Sequence, residues 1–339
     1  MADTHFDSYE TPSSARALRH LKLVSYFANH YSVDLVIHGG DLNDGAKPKD
    51  ISIADIKRAM NAIKLCHRPF IVLQGNHDDN SGYARDETNN NADQVITNDE
   101  AKPLRLDQFS QWLDVPTGSE NPNNAVFGSY DVPNSNVTII VLDGFDMADV
   151  SEPNHESFRH GHTDYTMQQR DWLVKKLADI PSNRKIAVFD HLTVKGIKET
   201  EWKFDDFKSL YENTGAKSYQ EAAERSGLIY TALVDNQAQK HNILGFFSGH
   251  THRDNYADSG NIHFATIACD IADRGDGREA RDYDGDDLNE YAWEVIQLNP
   301  TNTNGKMVIQ HRFGRSEQDE NVQNGHIDSE SYLGEWSIN

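Results

Sequence analysis

Two cysteines in 339 residues, Cys66 and Cys269, cannot frame a disulfide scaffold, and both stand in apolar-flanked segments where a buried free thiol is expected. Basic side chains are also scarce: 32 Lys and Arg against 54 Asp and Glu give a formal net charge of −22. A surface so acidic repels nucleic-acid backbones and anionic membranes, which speaks against a protein that binds duplexes. No apolar run approaches the ~20 residues of a membrane-spanning helix. Met1 is followed by polar residues rather than the apolar core of a signal peptide. Internal repeats are missing as well. What remains is a chain with 25% charged and 37% hydrophobic residues, the composition of a soluble globular protein. Its location is cytoplasmic by default, with a virion or extracellular setting open if the chain is part of a longer protein. The length suits one large domain or two ordinary ones. Clustered carboxylates and 16 histidines are raw material for holding cations.

Several short apolar runs end alike, in glycine or polar residues that can bind metal. Asp34 to His38 leads into Gly39-Gly40-Asp41-Leu42-Asn43-Asp44, and Pro69 to Leu73 leads into Gly75-Asn76-His77-Asp78. Lys185 to Phe189 leads into Asp190-His191, and Phe246-Phe247-Ser248 into Gly249-His250-Thr251-His252. A strand sends alternate side chains to opposite faces, so residues two apart, such as His250 and His252, point the same way if the backbone stays extended. The same spacing recurs at the start in Asp3-Thr4-His5, on a segment where chains commonly fray. Neutral imidazole is a good ligand for borderline divalent metals, and a carboxylate such as Asp41 has two oxygens and can bridge two ions. Asp44 reads equally as a solvated loop acid or as part of the site.

Around these runs, Ser13 to Tyr31, Ile53 to Cys66 and Met167 to Ile180 have apolar residues at helical spacing. Asp79 to Glu100, rich in Asn, Asp and Ser, reads as a long mobile loop. Ala125 to Tyr130, Val137 to Asp143 and Ile262 to Ala268 are strand-like, and Tyr291 to Leu298 with Lys306 to Phe313 flank the hairpin signal Asn304-Gly305. Gly161-His162-Thr163-Asp164 follows no apolar strand and reads as a loop. Residues 199–240 are polar and helical, either a cap beside a cleft or a packing element. Residues 270–290 form an acidic loop whose glycine is misplaced for a calcium-binding helix-loop-helix. The expected organisation is therefore one domain over 1–315 and a polar tail over 316–339.

Taken in order, Asp3-x-His5, Gly40-Asp41-x-x-Asp44, Gly75-Asn76-His77-Asp78, His191 and Gly249-His250-x-His252 resemble the five blocks of the calcineurin-like metallophosphoesterase superfamily. The resemblance is strongest to the branch of cyclic-nucleotide phosphodiesterases and related bacterial or phage phosphohydrolases. It implies an α/β fold of two facing mixed β-sheets flanked by helices, with a dinuclear metal centre at the strand ends. It also implies that Asp3, His5 and His252 hold one divalent ion, that Asn76, His191 and His250 hold another, and that Asp41 bridges them. His77 would meet the phosphate, oriented by Asp78 or Asp44. Such a centre would hydrolyse a small phosphomonoester or phosphodiester by attack of a hydroxide shared between the ions, with no protein nucleophile. Mixed N/O ligation with a neutral amide suits Mn²⁺, iron or Zn²⁺ better than Ca²⁺. In the family the first block ends an apolar strand, whereas here only Met1 and Ala2 precede Asp3, so the ion at Asp3, His5 and His252 is expected to be the weaker. The alternatives are a non-catalytic structural module, such as a phage tail or surface component, and a DNA nuclease, which the charge disfavours. Oligomeric state has no readable signal.

Overall fold

A computed structural model describes residues 1–8, 12–85, 91–149, 159, 163–194, 216–252, 255–267, 270, 292–298, 307–314 and 331–336. In chain order the main elements are α1 (Pro12–His30), β1 (Val36–His38), α2 (Lys49–Ile63), β2 (Phe70–Val72) and α3 (Asn98–Leu104). Next come β3 (Gly128–Asp131), β4 (Val137–Val141), α4 (Met167–Asp179), β5 (Lys185–Phe189), α5 (Ala216–Lys240) and β6 (Ile243–Ser248). The last are β7 (Asn255–Ser259), β8 (Ile262–Thr266), β9 (Ala292–Leu298), β10 (Val308–Gly314) and β11 (Ser331–Trp336).

The central sheet has six strands in the order β3-β4-β5-β6-β8-β7, with β4, β5, β6 and β8 parallel and the two edges antiparallel. Alternation along β4 and β5 builds two cores. Ile139, Val141, Ala187 and Phe189 face β1, β2, α1 and α2, while Ile140, Ile186 and Val188 face α4 and α5. Both faces of these strands are buried, which explains why they read as continuous runs of β-branched and apolar residues rather than alternating ones. In α1, Ala17, Leu21, Val24 and Ala28 form the inward stripe at helical spacing. On the other side Leu173 and Leu177 of α4 meet Ile229 and Leu233 of α5. The result is the expected layering of helices, sheet, sheet and helices, with β1 and β2 parallel and a further antiparallel sheet β11-β10-β9.

The register breaks in one place that matters to the site. Ile186 pairs with Ile243 but Ala187 pairs with Gly245, so β6 carries one extra residue at Leu244. Leu244 and Phe247 consequently share one core while Ile243 and Phe246 share the other, a spacing that simple alternation does not predict.

Three expectations need correction. The stretch 79–100 is not all loop: α3 begins at Asn98 under a capping box, Thr97 accepting from the Glu100 amide while the Glu100 carboxylate accepts from the Thr97 amide. Within 316–339, expected as a tail, Ser331–Trp336 pairs antiparallel with β10. The N-terminus does not fray: Met1 to Phe6 are buried, and they run beside residues 37–43 through bonds such as Gly39 N–H to Met1 O (2.8 Å) and Phe6 N–H to Leu42 O (3.0 Å). Cys66 is buried and unbridged, and burial pushes its thiol pKa up. Of the 199–240 segment, 216–240 is α5, whose Ile229 and Leu233 pack on the central sheet; the remainder, with His155, His160, His162, Cys269 and 271–290, lies outside the described residues.

Candidate metal centre

Parallel strands deliver their C-terminal ends to one side, and the loops that follow β1, β2, β5 and β6 meet there. Asp41 lies at the centre. Its Oδ2 is 3.5 Å from His5 Nε2 and 3.4 Å from His191 Nε2, and its Oδ1 accepts the His77 backbone amide at 2.9 Å. Ligand-type atoms of Asp3, His5, Asp41 and His252 lie within 4.8 Å of one another, and so do those of Asp41, His191 and His250. Six of the seven expected ligands thus fall into two groups that share Asp41, Asn76 being the one outside them.

Asp3 receives the His250 amide on its carboxylate (3.0 and 3.1 Å) and stands 3.5 Å from His252 Nε2. The Nε2 atoms of His5 and His252 face each other at 3.2 Å. His191 donates from Nδ1 to the Gly39 carbonyl (2.7 Å), which fixes the ring and turns Nε2 toward Asp41. Asn76 follows Gly75, where a Cβ would stand 2.1 Å from Asp41 Oδ1, so only glycine lets the two loops come this close. Gly40 is constrained in the same way: its φ is +93° and a Cβ would strike the His191 ring.

The extended-backbone argument for paired ligands fails in detail. Asp3, His5, Asp41, His250 and His252 all have positive φ, between 44° and 67°. Left-handed backbone costs a non-glycine residue roughly 1–2 kcal/mol, and here it is concentrated where the ligands converge, as strain often is at functional sites. The histidines converge because the chain turns past the strand end, not because it continues as a strand.

Sequence reasoning placed His77 beside the site with Asp78 or Asp44 as its support, and it is Asp44 that His77 contacts. His77 Nδ1 is 2.6 Å from the Asp44 backbone carbonyl, and its ring packs edge-on against His5 at 4.4 Å between centroids. The Asp44 carboxylate lies 3.7 Å from His5 Nδ1, and ligand-type atoms of Asp44, His5 and His77 are all within 4.8 Å of one another. Asp78 does not orient His77 at all. Its buried carboxylate accepts the amides of Asp41 (3.0 Å), Leu42 (2.9 Å), Asn43 (3.3 Å) and Gly75 (2.8 Å), clamping the two loops together. Arg105, buried, donates to the Asp78 carbonyl (2.6 Å) and to the Gln74 side chain, and sits 3.4 Å from the Asp78 carboxylate. Another missed pair supports the first ligand: His20 Nδ1 and Asp270 Oδ1 are 3.1 Å apart and buried, and the Asp270 amide donates to the Ala2 carbonyl. The sequence carries no signal for contacts between residues so far apart.

The electrostatics fit a cation site. Burial opposes ionisation of Asp41, yet the neighbouring His191 and His77 hold its carboxyl well below the usual carboxylate range. Burial likewise works against a charged His191, but the Asp41 and Asp3 carboxylates raise its pKa to about 10. His250 is pushed down, first by burial and then by the His191 charge. Among the described residues, Asn76 Oδ1, His191 Nε2 and His250 Nδ1 are buried without a hydrogen-bond partner, and a buried polar atom of that kind calls for an explanation. They are the three atoms the second ion would take, and two imidazoles, an amide and a carboxylate suit a divalent transition metal. The residues present therefore fit the group.

The profile of the calcineurin-like phosphoesterase family matches residues 1–254. Among solved structures, a dimetal phosphatase from Danio rerio is similar over 94% of this chain and 95% of that chain, with a TM-score of 0.61 and 15% identity. A purple acid phosphatase from yellow lupin (Lupinus luteus) seeds is similar over 97% of this chain and 52% of that one, with a TM-score of 0.50 and 10% identity. At such identities the likeness speaks for the fold. Comparison with curated proteins gives no match.

Proposed function

The chain belongs to the calcineurin-like phosphoesterase family, and from that premise we propose that it hydrolyses small phosphomonoesters or phosphodiesters at a centre of two divalent ions. The observation that carries this reading is the pair of donor groups sharing Asp41, the second of them with His191 Nε2 and His250 Nδ1 buried and, among the described residues, without a hydrogen bond. Asp3, His5 and His252 would hold one ion, Asn76, His191 and His250 the other, and Asp41 both. When bound, the ions supply Lewis-acid chemistry: they neutralise phosphoryl oxygens and lower the pKa of water.

The remaining work falls to the chain's own groups. His77 has Nδ1 engaged by the Asp44 carbonyl, so Nε2 is the atom that meets the substrate. From there it can donate to a phosphoryl oxygen or hand a proton to the leaving oxygen. Asp78 and Arg105 keep the Asp41 and Gly75 loops at the spacing that the ligands require. No side chain in the described site needs to act as a nucleophile.

The test is turnover of p-nitrophenyl phosphate and bis-p-nitrophenyl phosphate by protein reconstituted with Mn²⁺, Fe²⁺ or Zn²⁺. Hydrolysis of at least one ester that stops on chelation and returns with metal supports the proposal. No turnover with any of the three metals at full occupancy leaves a structural module instead.

A further inference from the structure

A third group of donors stands beside the two that share Asp41. Ligand-type atoms of His5, Asp44 and His77 lie within 4.8 Å of one another, His5 buried and the other two half-buried. They come from three segments that the backbone locks together. The Asp44 amide donates to the Phe6 carbonyl (3.1 Å), and the Asp44 carbonyl lies 2.6 Å from His77 Nδ1. The His77 amide donates to Asp41 Oδ1 at 2.9 Å. Gly45, with a φ of +64°, runs so close to the His77 carbonyl that a Cβ would strike it. The Asp44 carboxylate, which the sequence reads equally as a solvated loop acid, is thus held beside two imidazoles.

His5 is common to this outer group and to the inner one with Asp3, and its two nitrogens face different ways. Nε2 is 3.5 Å from Asp41 Oδ2 and 3.2 Å from His252 Nε2, whereas Nδ1 is 3.7 Å from Asp44 Oδ1. The last distance is long for a hydrogen bond. It is close to the spacing of two donors on one ion, because tetrahedral bonds of about 2.1 Å put donors about 3.4 Å apart. Two imidazoles and a carboxylate, with a fourth position left for water, suit a divalent transition metal. A neutral imidazole presents one lone pair, and its other nitrogen carries the proton. An ion on Nδ1 therefore leaves the inner group without His5, so the two positions exclude each other.

We propose that His5, Asp44 and His77 form an outer position for the first ion, exclusive of the inner position at Asp3, His5, Asp41 and His252. The inner group offers four donors, two of them carboxylates, and the outer group three with one carboxylate. The inner position is therefore the tighter, and the outer one fills when an inner donor is lost. An ion in the outer position also engages His77, so a chain loaded that way is inactive. This last consequence rests on the proposed function, in which His77 meets the substrate.

Equilibrium dialysis against Co²⁺ reads the ions bound by the full chain and its variants, and it registers weak ions that desalting would strip. His252→Ala removes an inner donor alone; Asp44→Asn and His77→Ala each remove an outer donor alone. The natural chain should bind two ions, and either outer variant should shift the weaker affinity less than about threefold, because the inner position uses neither residue. His252→Ala should still bind two, the second more weakly. Adding Asp44→Asn or His77→Ala to it should weaken that ion about tenfold or more, a coupling that independent sites do not show. One ion in His252→Ala, or equal losses from the outer variants in both backgrounds, overturns the outer position. Three ions in the natural chain overturn the exclusion. A natural chain with a single ion that Asp44→Asn removes and His252→Ala spares upholds the outer position and overturns the two-ion centre. Two ions that ignore Asp44 and His77 in both backgrounds do the reverse.

Discussion

At the scale of single residues, the structure separates two neighbours that look alike in sequence. His77 touches the site and Asp78 holds it together. His77→Ala is expected to keep both ions and to lower kcat by about 10²–10⁴-fold, the usual range for a positioned acid or base; metal analysis beside steady-state kinetics checks it. Asp78→Asn should behave in the opposite way. It strips a carboxylate from four backbone amides and leaves Arg105 without its buried counter-charge, a loss of about 3–5 kcal/mol. Lower thermal stability together with lost metal is expected, whereas a role on His77 would leave metal and stability intact. Asp41, His191, His250 and His252 were legible because each closely follows an apolar strand. Asp78, Arg105 and the His20–Asp270 pair were not, because most of their work lies in contacts across 27 to 250 residues of sequence.

The elements were legible where burial dictates the pattern, on one face of a helix or on both faces of a central strand. The inward stripe of α1 and the β-branched run of β4 are examples, since burial selects the residues directly. The capping box at Thr97 and Glu100 was a local signal hidden by the Asn- and Asp-rich stretch before it. The bulge in β6 had one local signal, Gly245 inside the strand, but its place is set by pairing with β5. Beyond the end of β4, Asp143 links the Val126 and Phe145 amides and bonds through its backbone to Gln169 of α4. Burial, aided by Asp146, pushes its pKa up to about 7. Between the unfolded value near 4 and about 7, the folded chain holds a proton there that the unfolded chain has lost. Stability from this group is therefore present at low pH and falls as pH rises through that window, by an amount of order a few kcal/mol. Asn cannot ionise, so the stability of Asp143→Asn relative to the natural chain should improve from pH 5 to pH 8. Urea unfolding at several pH values reads the difference, and a constant gap would show that Asp143 is charged throughout.

For the whole molecule, the layered α/β architecture follows from runs that are apolar on both faces alternating with helices, and that much is visible in composition and period. The order β3-β4-β5-β6-β8-β7 is not, since strand order depends on which long-range pairings win. What the architecture achieves is to place Asp3, His5, His191, His250 and His252, from three separate segments, around the Asp41 carboxylate. Asp41 is the link in that account. Elemental analysis of the natural chain and of Asp41→Asn after identical metal loading tests it most directly. Two ions per chain, with occupancy lost from both sites in the variant, is the predicted result. Two ions retained by Asp41→Asn would contradict it.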